Sequence, residues 1–190
     1  MNMADGLAAS YSLDAARSRF LVRAYAAGLL SGFGHNPTVA IRGFTGEARF
    51  LSQSPERSSL RFRIDAASLA VTGDISDKDR HDMERAMNED VLETARYPEI
   101  TFESYSAQAN QIAEGMYRIK IAGKLVLHGV ARDLEIPCNL TASDDSLRAN
   151  GEFTIRQTDY RIRLVSVAGG ALKLKDELKF TFDIVARKKQ

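Results

Sequence analysis

The feature that most constrains this chain is a period-2 alternation of apolar and polar residues that recurs along its length. Leu60, Phe62 and Ile64 oppose Arg61, Arg63 and Asp65, and Tyr117, Ile119 and Ile121 oppose Met116, Arg118 and Lys120. Phe153 and Ile155 oppose Glu152, Thr154 and Arg156, and Leu178, Phe180, Phe182 and Ile184 oppose Lys179, Thr181, Asp183 and Val185. Successive side chains of a strand point to opposite faces, so each run reads as a half-buried strand with one apolar and one wet face. Such strands belong to antiparallel sheets. Turn residues at 43–46, 52–55, 110–115, 143–146 and 169–170 separate the runs. This spacing suits a sandwich or an up-and-down barrel, and closure is favoured because it removes the exposed edges of so many amphipathic strands. The predicted fold class is therefore all-β, an antiparallel barrel of about eight strands. An interior of that size either fills with side chains or holds one small apolar ligand.

One segment departs from the pattern. Between residues 76 and 95, Asp77 and Asp79 sit near a start, Met83, Ala86, Met87, Val91 and Leu92 recur at helical spacing, and Tyr97-Pro98 closes the run. This predicts one amphipathic helix over residues 77–93, inserted in an otherwise all-β chain. Residues 1–10 read as a flexible N-terminal segment and 11–190 as a single domain.

Bulk composition excludes several classes. The 26 basic and 25 acidic residues of the 190 leave a net charge of +1, and no Lys/Arg run is interleaved with aromatics, which argues against a nucleic-acid partner. The tail Arg187, Lys188, Lys189 reads as a solvated end. A single cysteine, Cys138, excludes an intrachain disulfide, and the lack of a Cys/His cluster removes structural zinc. Residues 24–41 are uncharged and contain a Gly28/Gly32 GxxxG spacing. They are interrupted by Ser31, His35, Asn36, Pro37 and Thr38, so they read as strand, turn and strand rather than a membrane span. The start MNMADGLAAS has neither a basic n-region nor an apolar h-region. The expectation is a cytoplasmic protein, or a periplasmic one if the native N-terminus has been trimmed.

Four motifs in order carry a family resemblance. They are YSLDAARSRFLVRA with Asp14 and Ser18, followed by SGFGHN with His35; DKDRHDMERAMNEDVLETARYPEITFES with Arg80, Tyr97, Pro98, Phe102 and Ser104; GKLVLHGVARDLEIP; and RQTDYRIRLVSVAGGALKLKDELKF with Asp159, Asp176 and Glu177. From about Tyr11 to Ala186 the chain resembles the YceI-like proteins. The resemblance implies a lipocalin-like barrel whose hydrophobic interior holds a long isoprenoid or other lipid-like chain, with no established catalytic set. Two departures stand out. Many family members are exported, and the run Asp79-Arg80-His81-Asp82-Met83 differs from the family's more common Arg-Asp-x-His form, so no role is carried over to His81.

If the alternation holds throughout, the ligand-binding wall is made by Phe20, Val22, Phe62, Ile64, Phe102, Tyr117, Ile119, Ile121, Leu125, Phe153, Ile155, Phe180 and Phe182. A chain entering that interior gains about 0.8 kcal/mol per buried methylene, so ten methylenes supply about 8 kcal/mol before ordering costs. The alternative is that the same side chains fill the barrel. The absence of Trp and the small Ala24, Ala26, Ala122 and Gly123 favour open space. Candidate polar contacts to a lipid head group are His35, Arg80 and His128. Arg80 offers bidentate geometry for a phosphate or carboxylate. The competing reading pairs it with Asp77 or Glu84 on a wet helix face, at less than about 1 kcal/mol.

The histidines are 46 and 47 residues apart, so nothing local assembles a metal site, and His35 and His128 suit satisfied turn positions. There is no GxSxG elbow, Gly32-Phe33-Gly34 lacks a third dinucleotide-binding glycine, and no P-loop occurs. No catalytic residue, metal or cofactor is expected. The leading expectation is non-enzymatic binding, transport or storage of a polyisoprenoid, fatty acid or fatty amide. The alternatives are a histidine- or metal-dependent hydrolase of a lipid-like substrate, and a module whose helix docks on a partner or on a second copy as a homodimer.

Overall fold

The computed structural model describes residues 9–27, 36–167 and 172–189. Six short strands come first: β1 (Ala9–Leu13), β2 (Arg19–Ala27), β3 (Thr38–Ile41), β4 (Phe44–Phe50), β5 (Ser59–Asp65) and β6 (Leu69–Thr72). Long strands follow: β7 (Glu99–Ala113), β8 (Met116–Leu127), β9 (Val130–Ala142), β10 (Ser146–Arg156) and β12 (Leu172–Lys188), with a two-residue β11 (Ser166–Val167) paired to the start of β12. The order β1-β4-β5-β7-β8-β9-β10-β12 closes through pairing of β1 with β12, giving an eight-stranded antiparallel barrel. Strands β2, β3 and β6 continue β1, β4 and β5 beyond a break in each, and β2 lies along β12. The eight strands expected from the alternation are thus present, three of them broken.

The breaks have a common chemistry. Asp14 Oδ1 accepts from Arg17 N at 3.2 Å, while Ser18 Oγ donates to Asp14 O at 2.6 Å and accepts from Val185 N at 2.9 Å. Asp65 Oδ1 accepts from Ala67 N at 3.0 Å, while Ser68 Oγ donates to Asp65 O at 2.6 Å and accepts from Gly43 N at 2.9 Å. Short hydroxyl and carboxylate side chains thus satisfy the backbone groups that the interrupted ladder releases.

The helix α1 (Asp77–Ala86) starts at Ser76, whose Oγ accepts from Asp79 N at 3.1 Å, with Asp77 and Asp79 in its first turn. It runs on as a π-helical turn, Met87–Val91, so the expected helix is present with a widened last turn. Two turn assignments differ. Gly46 lies inside β4, where a side chain would overlap Leu13, and β7 extends to Ala113, leaving only Glu114-Gly115 as its turn. Residues 169–170 lie outside the described residues.

Outward positions carry cross-strand ion pairs: Arg61–Glu103 at 2.8 Å and Arg63–Glu99 between β5 and β7, and Lys120–Glu135 at 3.5 Å between β8 and β9. Arg148–Asp183 at 2.6 Å and Lys179–Glu152 at 2.8 Å join β10 to β12. Near-zero net charge is the sum of such pairs, each exposed and worth little alone. The basic tail is not a loose end, because Arg187 and Lys188 belong to β12, Arg187 meets Asp14 at 2.9 Å, and Lys189 meets Glu47 at 3.0 Å. Among the described residues no helix is long and apolar enough to cross a membrane.

Candidate functional site: an apolar cavity in the barrel

The inward positions do not fill the barrel. They enclose a cavity of about 390 Å³, within the range of about 300–1,000 Å³ usual for small-ligand sites. Of the thirteen side chains expected in its wall, all but Tyr117 border it. Tyr117 does point inward, but it packs edge-on against Phe50 at 5.3 Å in a cluster with Tyr11 and Leu147 that closes the end away from α1. At mid-barrel, Phe44 and Phe62 stack at 5.1 Å and Phe153 and Phe180 at 4.8 Å, with Phe20 edge-on to Phe62 at 5.6 Å. The expectation that small residues leave space holds for Ala24, which borders the cavity, and fails at Gly123. There the Phe102 ring and the Glu103 carbonyl oxygen occupy the place of a side chain, each 2.5 Å from where a Cβ would stand. Ala26 and Ala122 do not border the cavity.

The other end is roofed by the helix. Met83, Ala86, Met87, Val91 and Leu92 all border the cavity, so the stripe that suggested a docking helix faces the barrel interior. The helix is tied to β6, whose outer edge has no strand partner among the described residues. Val71 N donates to Glu84 Oε1 at 2.9 Å, and Arg80 Nη1 donates to Val71 O at 2.8 Å, with Nη2 at 3.5 Å from Gly73 O. Arg80 therefore does not border the cavity, and its guanidinium meets the carbonyls of Val71 and Gly73 rather than Asp77 or Glu84. An edge strand needs donors and acceptors, and residues 80 and 84, one helical turn apart, supply one of each.

His128 is likewise occupied elsewhere. It sits in the β8–β9 turn at φ 50°, with its side chain 10% exposed. Nε2 lies 2.7 Å from Glu93 Oε2, Nδ1 lies 3.2 Å from Tyr160 O, and the ring packs 4.5 Å from Tyr97. It borders no part of the cavity and anchors the segment after the helix to the barrel rim. His35 lies outside the described residues. Among the described residues no three His, Cys, Asp or Glu side chains gather as a metal site would require.

Several wall residues escaped the sequence reading. Leu134, Ile136, Cys138 and Leu140 of β9 alternate as the other strands do, but Pro137 in their midst argues against a central strand. Its effect is visible: the β9–β10 ladder pairs only residues 139–142 with 147–150 and stops beside it. Past that point residues 157–165 take over, with Tyr160 and Ile162 buried and Arg132 Nε donating to Asp159 O at 3.1 Å. Burial pushes the Cys138 thiol up to about 11, so it stays protonated and behaves as an apolar wall group. Gln157 is a buried polar side chain bordering the cavity, and its Nε2 donates to Lys175 O at 2.9 Å.

Two similar solved structures are Burkholderia cenocepacia BcnA, with 19% identity, a TM-score of 0.68 and coverage of 91% of this chain and 98% of that one, and a polyisoprenoid binding domain from Saccharophagus degradans implicated in plant cell wall breakdown, with 16% identity, a TM-score of 0.68 and coverage of 95% and 99%. A Campylobacter jejuni YCEI protein aligns at 17% identity with a TM-score of 0.58 over 80% of this chain and 85% of that one. At these identities the likeness is one of fold. No curated protein sequence matches the chain significantly. The model of the YceI-like domain, however, matches residues 11–186, from the first strand of the barrel to the end of the last, and the chain belongs to that family.

Proposed function

We propose that this protein binds a single long-chain apolar lipid in the barrel and carries or stores it without chemical change. The observation that carries the reading is the cavity itself: a continuous apolar space roofed by a Met-containing helix and walled by phenylalanines and branched aliphatics from every strand of the ring. The driving force is removal of the chain from water, about 0.8 kcal/mol per methylene. Unbranched methionines at the roof adapt to chains of irregular shape. A structural neighbour described as a polyisoprenoid binding domain supports a polyisoprenoid as the ligand class. The hydrolase alternative gains no support from His128, whose two ring nitrogens already face Glu93 and Tyr160.

Native mass spectrometry of protein purified from its producing cells, followed by solvent extraction, tests the proposal. One lipid adduct per chain that extracts into solvent and rebinds is the expected result. Empty protein that also fails to take up added long-chain lipids would overturn it.

A further inference from the structure

The cavity wall contains a polar group that the fold leaves unused. Gln157 stands one step beyond the last inward residue of β10, continuing the series Leu147, Ala149, Phe153, Ile155, and is 4% exposed. Its backbone carbonyl accepts from Arg161 and Ile162. Its side-chain Nε2 donates to Lys175 O, and because only the NH₂ group can face a carbonyl, this bond fixes which way the amide points. Oε1 is left as an acceptor that no described residue supplies with a donor, in a wall shared with Ile155, Ile162 and Val165.

Arg80 and His128 are engaged away from the cavity. Arg49, the one charged residue among the described residues that borders it, occupies an exposed outward position of β4 between inward Ala48 and Phe50. A carboxylate or phosphate drawn inside would find no cation among the described residues of the inward face, and an unpaired buried charge is strongly disfavoured. A group that meets Gln157 Oε1 must instead be neutral and must donate.

Resting on the binding reading above, we infer that Gln157 sets the specificity of the cavity: it accepts a hydrogen bond from the neutral donor head, a hydroxyl or a primary amide, of a long-chain lipid. Ser58 borders the same cavity, and its Oγ is buried without a partner among the described residues. As a hydroxyl it can both donate and accept, and so makes no such selection.

The test is competitive displacement of a bound fluorescent long-chain probe from delipidated protein by 1-hexadecanol, its methyl ether and hexadecanoate at pH 8. For the wild type, hexadecanol should displace at about tenfold lower concentration than the other two, the scale of one hydrogen bond won inside an apolar site. Gln157→Met should bring the alcohol level with the ether, and an unchanged far-ultraviolet circular dichroism spectrum should show the barrel intact. Ser58→Ala should keep the preference. Hexadecanoate binding as well as the alcohol, a preference that survives in Gln157→Met, or one lost in Ser58→Ala instead would overturn the assignment. If neither the probe nor any of the three chains binds the wild type, it is the binding reading that fails.

Discussion

The two halves of the barrel wall share one alternation and differ in continuity. From β1 to β6 the strands are 4 to 9 residues long and are interrupted at 14–18, 42–43 and 66–68, whereas β7 to β10 and β12 run for 11 to 17 residues. In the continuous half, ladder bonds and inward packing hold the wall except beside Pro137, where the β9–β10 ladder stops. In the broken half, serine and aspartate side chains replace part of the ladder, and the second and third breaks are bonded to each other through Asp65 N to Gly43 O at 2.8 Å and Gly43 N to Ser68 Oγ. The difference shows how a barrel can bend toward a roof helix without leaving backbone groups unsatisfied: the continuous half gives rigidity, and the broken half makes room for α1.

That contrast can be broken from either side. The largest effect belongs to the continuous half. Phe102 is 5% exposed and lies over Gly123, so Phe102→Ala should lower unfolding free energy by about 3–5 kcal/mol, read by urea denaturation. A loss under about 1 kcal/mol would mean that the wall collapses into the cavity and is not rigid. The broken half should respond less. Ser68→Ala removes one bond to Asp65 O and one from Gly43 N, which predicts a loss of about 1–2 kcal/mol and faster hydrogen exchange at the Gly43 amide. Unchanged exchange would show that the serine bridge does not hold the break.

The smallest effect concerns the outer shell. The Arg148 guanidinium beside Asp183 holds its carboxyl below the usual carboxylate range. A depressed folded value contributes stability above the unfolded value near 3.9, and that stability is lost as pH falls through the folded one. Arg148→Ala should therefore change stability little at neutral pH and show a shallower fall in stability below about pH 4. An acid limb identical to wild type would remove this pair from the account.

The sequence made β5, β8, β10 and β12 legible because a half-buried strand writes its two faces directly into period 2. The breaks were not legible, since Asp14 to Ser18 and Asp65 to Ser68 are ordinary polar residues whose role appears only when a neighbouring strand brings Val185 N or Gly43 N to them. Alternation tells which face a side chain takes but not its depth along the barrel, so Tyr117 was grouped with the cavity wall although it closes the far end. Side-chain type suggested Arg80 and His128 for an anionic head. Tertiary placement gave the first to the free edge of β6 and the second to Glu93 and Tyr160. Gln157 looked like any polar residue in RQTDYR until the register of β10 with β12, Ile155 opposite Leu178 and Arg156 opposite Glu177, placed it inward.

Isothermal titration of the delipidated protein with a fifteen-carbon isoprenoid alcohol, repeated at several temperatures, tests the central claim most directly. Burial of an apolar chain in the cavity predicts one molecule per barrel and a negative heat-capacity change on binding. Absence of saturable binding, or binding with no change in heat capacity, would contradict a barrel whose interior exists to take an apolar chain out of water.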